Sequence, residues 1–68
     1  MDIVNIFNRL LNHEELKREE TKELLIAITR GELSDPEITA LLTAIQMRGI
    51  SVDELLGFRD GILETGVP

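Results

Sequence analysis

Ser34-Asp35-Pro36-Glu37-Ile38-Thr39-Ala40-Leu41-Leu42-Thr43-Ala44-Ile45-Gln46-Met47-Arg48-Gly49 carries a full set of helix signals in one run. Ser34 and Glu37 stand three apart, the spacing at which each side chain satisfies a free backbone amide near the other. Pro36 falls in the first turn, where its missing N–H costs little. Ile38, Leu41, Leu42 and Ile45 recur at three- and four-residue intervals, and Ala40, Ala44 and Met47 form a second stripe beside them. Arg48-Gly49 is a sound stop. An apolar arc this wide predicts a central helix touched from two sides.

Working outward, Ser51-Val52-Asp53-Glu54 is a second capping box, opening a helix that runs to about Glu64, with Gly66 placed to end it. Its stripe is Val52, Leu55, Phe58 and Ile62. Gly57 and Gly61 lie four apart in its interior and cost about 1 kcal/mol each relative to alanine. They are either tolerated weak points or a flat strip where another helix comes close. Upstream, Arg18 to Arg30 forms a helix with Thr21, Leu24, Leu25 and Ile28 on one face. Glu19, Glu20 and Glu23 suit its positive end, and Arg30 suits its negative end. Lys17 occupies the capping position where Ser, Thr or Asp is preferred, and Gly31 suits a left-handed turn at the far end. The first helix covers about Asp2 to Asn12, with Ile3, Ile6, Phe7 and Leu10 on one face, and Asn12-His13 breaks it. No segment alternates with period two, and the connections are short. The expectation is all-α: a small orthogonal bundle of four helices forming a single domain over 1–68.

Composition excludes several functions. The 68 residues include 13 acidic and 7 basic side chains, a net charge of −6 that repels a phosphate backbone. Phe7 and Phe58 are the sole aromatics, so no base-stacking platform exists and no nucleic-acid partner is expected. Without cysteine there is no disulfide, thiolate metal site or cysteine nucleophile. No apolar run approaches the ~20 residues that span a bilayer, so no membrane partner is expected either. The opening Met1-Asp2 lacks the basic and apolar stretches of a secretory leader, which points to the cytoplasm.

Chemistry is sparse. His13 is the single histidine and falls in a loop, where a general base would need an orienting partner and a pocket. The acids Glu14, Glu15, Glu19, Glu20 and Glu23 lack the spacing and turn glycine of a calcium loop and read as a solvated face. Ser34 and Ser51 are accounted for by capping. Neither lies in the Asp-Ser-Leu setting that an acyl carrier protein needs, so that reading of a small acidic four-helix chain fails. No catalytic, cofactor-binding or metal-binding residue is expected.

Gly31-Glu32-Leu33-Ser34-Asp35-Pro36-Glu37-Ile38, the helix through Arg48-Gly49 and the start Ser51-Val52-Asp53-Glu54-Leu55 together resemble the N-terminal helical domain shared by anthranilate phosphoribosyltransferases and pyrimidine nucleoside phosphorylases. Leu10-Leu11, Arg18-Glu19-Glu20 and Leu56-Gly57-Phe58-Arg59-Asp60 match the transferase version. The resemblance covers nearly the whole chain and rests on the order and spacing of its parts. Lys17, in place of a capping serine, departs from the pattern. The resemblance implies a scaffold and dimerisation domain of a glycosyltransferase that moves a phosphoribosyl group from phosphoribosyl pyrophosphate (PRPP) to anthranilate in tryptophan biosynthesis. A pair such as Val67-Pro68 would lead into an α/β domain holding magnesium and PRPP. The same domain of a nucleoside phosphorylase, or a stand-alone interaction module, are the alternatives. The implied partners are the chain's own catalytic domain and a second copy. The candidate interface is Ile3, Phe7 and Leu10, with Leu41 and Ile45 as substitutes if the core is arranged differently.

Overall fold

A computed structural model describes residues 2–66; the Val67-Pro68 pair lies outside the described residues. Among them there are four helices and no strand: α1 Ile3–Leu11, α2 Arg18–Thr29, α3 Asp35–Arg48 and α4 Val52–Thr65. Each begins and ends where its local residues dictate. The Asp2 carboxylate accepts from Asn5 N at 3.1 Å to open α1. Both serine boxes form: Glu37 N donates to Ser34 Oγ at 3.3 Å, and Glu54 N donates to Ser51 Oγ at 3.1 Å. Their glutamates accept the return bonds from Ser34 N at 2.8 Å and Ser51 N at 2.9 Å. At α2 only the return half exists. Glu20 accepts from Lys17 N at 2.8 Å, and Lys17 offers no acceptor in exchange.

α1 and α2 close with the same device. Glu14 N reaches back to Arg9 O at 2.9 Å and Glu32 N to Ala27 O at 3.0 Å, across a left-handed residue. In α2 that residue is Gly31, as the sequence predicts; in α1 it is His13, at φ 61. A side chain in this conformation is disfavoured by contact with its own carbonyl.

The shortest dimension of the molecule is 18 Å, room for two layers of helices. One layer is the α2–α4 pair, which makes by far the closest helix–helix approach; the other is α1 with α3. Ile6 and Leu10 from α1, Leu24 from α2, Leu41 and Ile45 from α3, and Leu16 from the first loop fill the space between them. Ile3, Phe7, Ile28, Leu33, Ala44 and Phe58 pack around that cluster.

Two sequence expectations fail here. α3 is not central: it lies against α1, and Leu42 and Met47 point away from the core. The large apolar stripe of α4 is not its inner face, since Val52 is 73% and Leu55 57% exposed. The buried arc is Glu54, Gly57 and Gly61, with Phe58 at its edge. The two glycines are a close-approach strip. A Cβ on Gly57 would overlap Thr21 Oγ1 and the carbonyl oxygen of Arg18, and one on Gly61 would meet Leu25 Cβ at 3.0 Å and Lys22 O at 3.1 Å. Thr21 sits in this contact with no exposure and satisfies its hydroxyl by donating to Arg18 O at 3.0 Å.

Candidate interaction surface

The side chain under the strongest constraint is Glu54. It follows Ser51 by three residues, so the capping box turns its carboxylate back toward the start of α4. There it has 0% exposure. Oε1 takes Ser51 N; Oε2 takes Leu16 N at 2.9 Å and Arg48 Nη2 at 2.6 Å. One carboxylate thus joins the first loop, the end of α3 and the start of α4. Burial alone would push its carboxyl up; the Arg48 guanidinium, followed by the Ser51 and Leu16 amides, outweighs this and holds it below the usual carboxylate range. Arg48 is itself nearly enclosed, and its Nε has no hydrogen-bond partner in the structure. The sequence showed Glu54 as a capping residue only. Its second role depends on where Leu16 and Arg48 arrive, which no local spacing encodes.

Two ion pairs flank the glycine strip. Arg18 grips Asp60 through Nε at 2.5 Å and Nη2 at 3.0 Å, and Lys22 Nζ meets Glu64 at 2.5 Å. Both partners step by four residues along their helices, so the pairs mark one register of α2 on α4. Arg9 of α1 pairs with Glu20 of α2 and donates to Glu15 O at 3.0 Å, anchoring the first helix.

Among the polar residues of the surface, several large apolar side chains also face outward. On α4, Val52, Leu55, Ile62 and Leu63 lie opposite the glycine strip, with Arg59 the charge among them. On the other layer, Val4 and Leu11 of α1 are exposed, Leu11 at 71%, and Met47 of α3 reaches 85%. Leu10, Leu11, His13, Ala44, Met47 and Arg48 line a shallow groove of about 220 Å³ between the ends of α1 and α3. These exceed the isolated exposed apolar residues of an ordinary surface.

The expected interface residues divide. Leu10, Leu41 and Ile45 are buried in the chain's own core. Ile3 and Phe7 are half-buried against that core. The residues that do stand free are their neighbours Val4, Leu11 and Met47. Periodicity located the apolar arc of α1 correctly; it could not show that the arc is wider than the core it faces, so one flank is left over. His13 is exposed at the loop, and Glu14 of the first loop and Glu20 of α2 both meet the Arg9 guanidinium. Among the described residues, no group of three or more His, Asp or Glu side chains could hold a metal ion.

The described residues form a four-helix bundle whose polar groups join its own segments and whose apolar side chains stand open on both layers. The chain belongs to the glycosyl transferase family, as its helical bundle domain: the family model matches residues 4–66. It is 59% identical over 63 residues to an anthranilate phosphoribosyltransferase of Phocaeicola vulgatus, an alignment covering 93% of this chain and 19% of that protein. Proteins of the same name from Flavobacterium psychrophilum and Methanopyrus kandleri are 44% and 38% identical, each over 94% of the chain and 19% of the relative. The chain therefore spans about a fifth of the length of the curated relatives it matches.

Proposed function

We propose that this chain is the N-terminal helical scaffold of an anthranilate phosphoribosyltransferase, which joins the phosphoribosyl group of PRPP to the amine of anthranilate in tryptophan biosynthesis in the cytoplasm. The observation that carries the reading is the 59% identity across nearly all of the chain to a protein of that name. On this reading magnesium and PRPP are held by an α/β portion of the same polypeptide; the described helices gather no group of three or more ligating side chains. The helical part supplies no reacting group. It lays one apolar face against that portion and another against a second copy, and the α1–α3 side with Val4, Leu11 and Met47 suits the second copy. No described helix is long and apolar enough to cross a membrane.

The test uses the complete polypeptide that contains this chain. Mixed with PRPP and magnesium, it should consume anthranilate, followed by the loss of anthranilate fluorescence; no turnover of anthranilate would overturn the assignment. In the same protein Met47→Asp should lower the dimer fraction in sedimentation without lowering the melting temperature of the 68-residue chain. A dimer unchanged by that substitution removes the α1–α3 side as the contact. Phe7 is the poorer probe, since a charge there would strike the core it packs against.

A further inference from the structure

The polar ties of the bundle are unevenly shared. α1 is held to α2 by Arg9 and Glu20, and α2 to α4 by two ion pairs and the glycine strip. α3, like α1, has one: among the described residues, Arg48–Glu54 is the single hydrogen bond or ion pair from an α3 side chain to another helix. Its apolar hold is also slight. Fourteen residues bury only Leu41 and Ile45, and both capping residues bond within their own turn. The tie that does exist is buried at both ends and ends on the carboxylate that also fixes Leu16 and Ser51.

We propose that Arg48–Glu54 is a latch, and that α3 swings away as a unit when it opens while α2 and α4 stay paired. Opening uncovers Leu41 and Ile45 on α3 and their partners Ile6, Leu10 and Leu24, an apolar surface that the closed chain hides. Salt and bulk solvent do little to a closed latch, because Arg48 and Glu54 are shielded together. Once the helix lifts, both groups regain water, and the charge pair that held it contributes little further. The device is therefore steep: it is either closed or lost.

Native-state hydrogen exchange on the 68-residue chain, read amide by amide, tests this. Amides of Leu41 through Arg48 should exchange about tenfold or more faster than those of Leu24 through Ile28 and Phe58 through Ile62 at equal intrinsic rate. Arg48→Met, which keeps the apolar stem and removes the tie, should accelerate the α3 set further and leave the α2 and α4 sets where they were. Gly57→Ala should do the reverse, accelerating all sets together by unseating the α2–α4 pair. A single common opening for all three helices in the wild-type chain would overturn the proposal. So would an Arg48→Met variant in which α2 and α4 loosen as much as α3.

Discussion

Glu54 does two jobs that usually fall to different residues: it returns the cap of its own helix and closes the junction of three segments. A carboxylate can do both because it has two oxygens, each able to accept more than once. A glutamine in its place could not, since the amide would aim N–H groups at donors. Glu20, Glu37 and Asp60 are held below the ordinary carboxylate range as well. Folded pKa values below the unfolded ones mean that the unfolded chain binds more protons. The stability these groups give is complete above the unfolded range, near about 4, and drains away as pH falls through the lower folded values. Denaturant titrations at descending pH should show this acid loss. Glu54→Gln should lower stability at neutral pH by about 3 kcal/mol and leave a shallower acid slope, because one of its contributors is gone. An unchanged slope would mean that the other carboxylates carry it.

At the scale of the element, α4 is the helix whose stripe misleads, and the reason is physical. Val52, Leu55, Phe58 and Ile62 form a good stripe by size and hydropathy, and burial normally goes with both. What decided the matter was closeness. Gly57 and Gly61 let the α2 backbone approach so near that the smallest side chains became the inner face. Gly57→Ala gains helix propensity and still should destabilise by about 3 kcal/mol, since an added methyl meets backbone oxygen and a locked threonine. Gly61→Ala meets the movable Leu25 side chain first and should cost about 1 kcal/mol. Equal, small losses in thermal melts of the two variants would contradict the close strip. Caps and stops were legible because they are written in three or four consecutive residues: Ser34 with Glu37, Ser51 with Glu54, Gly31 after Arg30. His13 in the left-handed position was readable only as a break. The partners of Glu54, and the side of α3 and α4 that meets the core, were not legible. They are set by residues far apart in the chain, such as Leu16 with Glu54, 38 positions away, and Arg18 with Asp60, 42 away.

For the whole molecule, the two layers divide the work. The α2–α4 layer is held by backbone contact and paired charges, and the α1–α3 layer by a modest apolar filling, the Arg9–Glu20 pair and one buried latch. The four-helix class was recoverable from punctuation alone; the layering was not, because the apolar stripes of α3 and α4 exceed what 68 residues can enclose. That excess has a calorimetric consequence. The heat-capacity rise on unfolding comes from apolar surface newly given to water, and Val52, Leu55, Ile62, Leu63, Leu11 and Met47 already meet water in the folded chain. The strip on the inner side of α4 adds little, for glycine has no apolar side chain to uncover. Scanning calorimetry on the dilute chain should therefore return a heat-capacity increment below the ~12 cal/mol/K per residue usual for globular proteins. The stability curve would be correspondingly flat, changing little between cold and warm until the melt itself.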